Sequence, residues 1–210
     1  EACSIVADYL IICSNPFFEP NNPDSEVLKI ANHRATYNGF DVAILNADNI
    51  ISDDLGFYYE NYPGLLYKKE QRLRICIKRV YEGANAQNTY DGRLAYVLLI
   101  GDVDAGNSGM PTSKDNTYPG GGGYYPSDYY FSCVTKQSNL YDRTGDLFIG
   151  RFCVDNNQEN GMTELQNMVS KTIFYESEAN FGGWRDETGV LLHIDEDYHP
   201  VYFNFMDNLV

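Results

Sequence analysis

Apolar residues in this chain fall into short unbroken runs, separated by stretches where they recur every three or four positions. Tyr9-Leu-Ile-Ile-Cys13 is the first run, and its lack of polar alternation predicts a strand buried on both faces. An Asn- and Pro-rich loop covers residues 15–23. Ser25 then opens a helix with Val27, Leu28, Ile30, Ala31 and Ala35 as its apolar stripe. Gly39 is placed to stop that helix in the left-handed conformation. Asp41-Val-Ala-Ile-Leu45 reads as a second strand, so the two strands should be parallel, joined by a right-handed crossover. A basic amphipathic helix follows over residues 70–82, with Leu73, Ile77 and Val80 inward and Gly83 as its stop. Tyr96-Val-Leu-Leu-Ile100 is the clearest strand, and it ends in Gly101-Asp102.

Strand, helix, strand, helix, strand is a doubly wound α/β pattern. Two long loops interrupt it. Residues 46–67 are Tyr-rich, and residues 106–125 are rich in Gly, Ser, Asn and Pro, including the run Gly120-Gly-Gly-Gly123. Ser127-Asp-Tyr-Tyr-Phe131 leads into a strand, a turn is expected over 139–144, and Leu147-Phe-Ile-Gly-Arg151 is another short strand. A long helix is expected over about residues 158–179. A last buried strand, Val190-Leu-Leu-His-Ile194, ends in Asp195-Glu196-Asp197, and residues 203–210 read as the start of another helix. No internal repeat is evident.

The chain has 210 residues, 43% hydrophobic and 14% aromatic, which suits one sizeable core. There are 18 Tyr against one Trp, and such amphipathic aromatics suit wet surfaces and strand edges. Fifteen basic residues against thirty acidic ones give a net charge of −15. A chain this acidic repels phosphate backbones, so nucleic acid is not a partner it suits. Acidity fits a cationic substrate, bound calcium, or simple solubility. No apolar run approaches the roughly 18 residues of a membrane span. The chain starts at Glu1 rather than Met, which points to sequence removed or left out upstream.

Several chemistries are excluded by their missing motifs. No G-x-G-x-x-G follows the first strand and no G-x-x-x-x-G-K-[ST] occurs, so no phosphate cradle is encoded. No G-x-S-x-G elbow occurs, which removes the common serine hydrolase arrangement. The cysteines, Cys3, Cys13, Cys76, Cys133 and Cys153, lack C-x-x-C spacing, which argues against zinc, and their odd number cannot close a full disulfide set. His33 lies inside the first helix, His193 inside the last strand, and His199 precedes Pro200. Each reads as a packed residue more readily than as a base. Asp102 and Asp195-Glu196-Asp197 each follow a buried strand, which puts them on one rim of the sheet. Carboxylates there can orient a histidine, receive a cationic side chain, or bind a hard cation.

Taken in order, Asp8-Tyr-Leu-Ile-Ile12, Tyr37-Asn-Gly-Phe40, Tyr96-Val-Leu-Leu-Ile-Gly-Asp102, Ser127-Asp-Tyr-Tyr130, Leu147-Phe-Ile-Gly-Arg151 and the helix bearing Lys171, Tyr175 and Glu176, followed by Trp184, form a recognisable series. It resembles the gingipain-type cysteine peptidases, family C25. The resemblance implies a three-layer α/β/α caspase-like fold with a mostly parallel sheet, incomplete at the C-terminus. Residues 1–210 would then be the N-terminal portion of the catalytic domain of a secreted bacterial endopeptidase acting on proteins or peptides. The family's Gly-His-Gly histidine and its nucleophilic cysteine lie beyond the strand matching residues 190–194, and this chain contains no Gly-His-Gly. The implied dyad therefore falls beyond Val210, the fragment alone is expected to be inactive, and none of the five cysteines is a nucleophile. By the same resemblance, Glu196, with Asp195 next, is the acid that supports the histidine, and Asp102 and Asp128 are candidate ligands of a structural calcium. The residue selecting arginine or lysine substrates falls where this sequence departs, around residues 197–204, and leaves substrate preference open. Two other classes stay in view: a non-catalytic gingipain-like surface or assembly module, and a metal-assisted hydrolase using the carboxylate cluster.

Overall fold

The computed structural model describes residues 5–52, 68–83, 94–103, 109–115, 125–135, 144–156 and 158–177. The chain divides into two compact units, Glu1–Phe174 and Tyr175–Val210. Only residues 175–177 of the second are described, and the first is the subject here.

Strand β1 (Tyr9–Cys13) is buried from Leu10 onward, as an unbroken apolar run requires. A single 3₁₀ turn, Asn15–Phe17, leads towards helix α1 (Glu26–Tyr37). Ser25 caps this helix, its hydroxyl accepting the Leu28 N–H at 3.1 Å. Gly39 ends it with φ 72°, and the Phe40 N–H reaches back to the Arg34 carbonyl at 3.3 Å. Val27, Ile30 and Ala31 are buried, whereas Ala35, expected in the stripe, is exposed. The inward row runs through positions 27, 30 and 34, so the last turn offers Arg34 instead, 5.5 Å over the Tyr9 ring.

Strand β2 (Val42–Asn46) pairs parallel with β1 and runs directly into helix α2 (Ala47–Ser52). The expected 46–67 loop is therefore helical at its start; the rest of it lies outside the described residues. Helix α3 (Lys69–Glu82) buries Leu73, Cys76, Ile77 and Val80 and stops at Gly83 with φ 54°. Strand β3 (Tyr96–Ile100) pairs parallel with β1 on the side away from β2. Two three-residue strands, β4 (Ser113–Asp115) inside the segment expected as loop and β5 (Tyr125–Ser127) starting at its last residue, form an antiparallel pair. The Gly120–Gly123 run lies outside the described residues. The strand expected to follow Ser127 is instead a short helix, α4 (Tyr129–Ser132), and side chains from α3 hold the carbonyls just beyond it, as set out below. Strand β6 (Phe148–Phe152) pairs parallel with β3, and helix α5 (Gln158–Ser177) follows. The expected strand at 190–194 and helix at 203–210 lie outside the described residues.

The main sheet has the order β2-β1-β3-β6, with every neighbouring pair parallel. Alternate strand residues face opposite layers. Leu10, Ile12, Val97 and Leu99 pack with Ile50, Leu73, Ile77 and Val80 from α2 and α3. Ile11, Cys13, Leu98 and Ile100 pack with Val27 and Ile30 of α1 and Leu165 and Val169 of α5. This is a three-layer α/β/α arrangement, and it explains why the strands carry no polar alternation.

Candidate functional site at the carboxyl rim of the sheet

The strand register brings Cys13, Asn46, Ile100 and Phe152 level at one edge. From β1 the chain crosses to β2 on one side, while β3 leads to β6 on the other. The ends of β1 and β3 are thus the point where winding reverses, and open α/β sheets place ligands at such points. Here Ser14 and Gly101 meet. The Ser14 N–H donates to the Ile100 carbonyl at 3.1 Å, extending the ladder by one residue. Gly101 has φ 140°, and a Cβ there would lie 2.9 Å from Ser14 Oγ and 3.2 Å from Met110 Cβ. Only glycine suits both the dihedral and the close approach.

A polar latch joins the ends of β1 and β2. Asn46 Nδ2 donates to Asn15 Oδ1 at 2.7 Å, the Asn15 N–H donates to Asp48 Oδ2 at 2.6 Å, and the Asp48 N–H donates to Asn46 Oδ1 at 2.8 Å. Cys13 sits just beneath. Burial, reinforced by the Asp48 charge, pushes its thiol up to about 12. At neutral pH it remains a thiol and cannot serve as a nucleophile.

Arg151, on β6, is the hub of the rim. Its Nε and Nη2 grip the two oxygens of Asp128 at 2.8 and 2.7 Å, a fork-on-fork pair. Nη2 also donates to the Pro111 carbonyl at 2.7 Å, while Nη1 donates to the carbonyls of Gly101 at 3.1 Å and Met110 at 3.4 Å. Those five bonds match the five N–H donors of a guanidinium. The side chain is 5% exposed, a burial that a cation tolerates only when paired in this way. Three of the sequence segments that carry the gingipain resemblance meet here: Ile-Gly-Asp supplies Gly101, Ser-Asp-Tyr-Tyr supplies Asp128, and Phe-Ile-Gly-Arg supplies Arg151.

A second clamp fixes the next stretch of chain. Arg74 of α3, itself buried, donates through Nε to the Cys133 carbonyl at 2.7 Å and through Nη2 to the same oxygen, and it lies 5.0 Å over the Tyr130 ring. Lys78 donates to the Val134 carbonyl at 2.9 Å. Asp146 accepts from the Val134 and Thr135 amides at 2.7 and 2.9 Å and from the Thr135 hydroxyl at 3.0 Å. Burial alone would raise the Asp146 carboxyl, but the Thr135 and Val134 bonds, with help from Arg74, outweigh it and hold the group below the usual carboxylate range.

The structure places the anticipated site residues unevenly. Asp102 follows β3 as expected, stands exposed, and accepts the Val103 N–H at 2.7 Å. Asp128 lies between β5 and α4, where both oxygens are engaged by Arg151. A divalent cation at Asp128 would sit against that guanidinium, so the observed partners do not suit calcium there. Among the described residues no three His, Cys, Asp or Glu side chains are gathered to hold a metal ion. Glu196 and Asp195, with His193 and His199, lie outside the described residues. His33 stacks on Tyr37 with ring centroids 5.1 Å apart, a packed histidine. Cys13, Cys76 and Cys133 are buried, and Cys153 is exposed. Arg151 had been visible only as part of a motif; the signal for its role was an arginine in an otherwise apolar strand.

The model of peptidase family C25 matches residues 4–204, nearly the whole chain. The chain belongs to peptidase family C25. Among solved structures, the crystal structure of dimeric latent PorU from Porphyromonas gingivalis matches 88% of this C25 chain at 20% identity, with a TM-score of 0.58. At that identity the likeness speaks to the fold, and it agrees with the three-layer α/β/α arrangement. The chain spans 17% of the length of that protein. No curated protein matches it. No helix among the described residues is long and apolar enough to cross a membrane.

Proposed function

We propose that this C25 chain is the scaffold half of an exported cysteine endopeptidase, whose histidine and cysteine are supplied by sequence following Val210. The observation that carries the reading is the family match over residues 4–204, combined with a rim where three of the resemblance segments are locked together by Arg151. In this reading the carboxylate of Glu196 orients the histidine. The histidine takes the thiol proton, the thiolate attacks the scissile carbonyl carbon, and the histidine returns the proton to the departing amine. Water then hydrolyses the thioester. The buried, protonated Cys13 and the buried Cys76 and Cys133 fit cysteines that take no part, while for Cys3 and the exposed Cys153 that reading rests on the family resemblance.

Calcium remains a proposal at Asp102 alone, where the carboxylate is exposed and bonds its neighbour's amide. Isothermal titration of the chain with calcium chloride, repeated on Asp102→Asn, tests it; heat that survives the substitution removes Asp102. For the main reading, the complete protein is assayed on a quenched peptide library before and after iodoacetamide. Thiol-sensitive cleavage supports the peptidase. No cleavage from a folded complete protein supports a non-catalytic surface or assembly module.

A further inference from the structure

We infer that the amino rim of the main sheet, at the opposite ends of the strands from the candidate site, binds a basic segment of another protein by stacking a guanidinium on the Phe148 ring. Tyr9, Tyr96 and Phe148 are the first residues of β1, β3 and β6, and the parallel register sets them side by side. Their rings form a row. Tyr9 stacks on Tyr96 with centroids 6.0 Å apart, and Tyr96 stacks on Phe148 at 5.5 Å, with planes 23° and 18° apart. Phe40, just ahead of β2, joins the row 6.1 Å from Tyr9 and 5.2 Å from Tyr96. Packing accounts for one end of it, since Phe40 is half-buried and Tyr9 lies against the core beneath α1 and α5. It does not account for the other end. Tyr96 is 36% exposed and Phe148 71% exposed. β6 is the last strand of the described sheet, and Gly150, the next residue on the same face, is exposed with open space where a Cβ would stand. Among the described residues nothing stacks on the face of Phe148 turned away from Tyr96. Adjoining exposed rings of this kind mark an interaction surface, as a lone exposed side chain does not.

Two features set the chemistry of the occupant. The row already carries one cation, the Arg34 guanidinium 5.5 Å over the Tyr9 ring. Ring faces are electron-rich, and the planar guanidinium is the side-chain cation that stacks on them most readily. The surroundings are acidic: Asp8 and Asp41 adjoin Tyr9 and Phe40 and outnumber Arg34, and the chain carries a net charge of −15. A cationic partner is drawn to such a surface, and an anionic one is repelled. Arginine against an aromatic ring is also among the pairings that dominate interface energies. The inference stands apart from the peptidase reading, because no residue of the carboxyl rim takes part in it.

The test uses the complete protein, its accessible thiols alkylated beforehand so that no probe is cleaved. Fluorescence anisotropy follows the binding of labelled peptides that alternate glycine with arginine, lysine or citrulline. Citrulline keeps the planar shape of arginine and lacks its charge. The arginine peptide should bind tightest and the citrulline peptide weakest. Phe148→Leu keeps the apolar bulk and removes the ring face, so it should weaken the arginine peptide by about two- to fivefold and narrow its advantage over lysine. Phe148→Tyr should bind as the wild type does. Phe148→Ser should match Phe148→Leu, because a side chain this exposed contributes little packing that either replacement could remove. Wild-type affinity in Phe148→Leu overturns the proposal. So do arginine and lysine peptides bound alike by wild type and variant, which is what net charge alone would produce, and so does a wild-type protein that binds neither.

Discussion

Gly101 and Ser14 approach so closely at the winding reversal that an added Cβ on Gly101 would stand 2.9 Å from the Ser14 hydroxyl oxygen. The contact joins the ends of β1 and β3 beneath the Arg151 hub, and two independent demands fall on the glycine. Its φ of 140° strains any L side chain, and the space is already filled. Gly101→Ala should destabilise the protein by about 1–3 kcal/mol, read as a lower urea midpoint with an unchanged slope. Adding Ser14→Gly should recover only the steric part. Wild-type stability for Gly101→Ala would mean that the turn relaxes freely.

Arg74 carries the second clamp, and its loss should be costly for a different reason. Arg74→Met preserves much of the buried stem and removes the donors to the Cys133 carbonyl and the cation over Tyr130. A loss of about 1–3 kcal/mol is expected, measured by the same denaturation. Arg74→Lys should fall between the two, since it keeps the charge without the paired donors.

Asp146 gives the clamp a pH dependence whose sign is fixed. Its folded carboxyl titrates below the unfolded one, so its contribution is full above the ordinary carboxylate range and is lost as pH falls through the folded value. Thermal melts across the acidic range should show Asp146→Asn losing less stability on acidification than the wild type does. Parallel curves would remove the Thr135 and Val134 bonds as the cause.

The cysteines separate by burial. With its thiol pushed up to about 12, Cys13 should resist alkylation in the native protein at mildly alkaline pH. The exposed Cys153 should react. Peptide mass mapping after brief iodoacetamide treatment distinguishes them, and rapid labelling of Cys13 in folded protein would contradict the packing beneath the Asn46 latch.

Much of the frame was legible because its signals are local. β1 and β3 are unbroken apolar runs since both faces of the sheet are covered, and Gly39 and Gly83 both take the left-handed conformation that ends a helix. The misses are elements whose cause is tertiary. β4 and β5 are three residues each, too short for any period to show, and they sit where Arg151 pins their neighbours. Tyr129–Ser132 carries strand-favouring aromatics, yet Arg74 and Lys78 take the carbonyls just beyond it and the segment turns as a helix. At the rim, Asp102 was legible from its place after a buried strand. The pairing of Asp128 with Arg151 was not, because 23 positions separate them and only the fold joins them. Glu196 and Asp195 rest on the resemblance.

The central claim is that this C25 chain is the scaffold half of a cysteine peptidase whose reactive pair lies beyond Val210. The most direct measurement compares peptide hydrolysis by the complete protein, by its Glu196→Gln variant, and by residues 1–210 alone. The account predicts iodoacetamide-sensitive turnover in the complete protein, a large fall in kcat for Glu196→Gln, and no turnover from residues 1–210. Turnover by residues 1–210 that is lost on alkylation, or a folded complete protein that cleaves nothing, would contradict it.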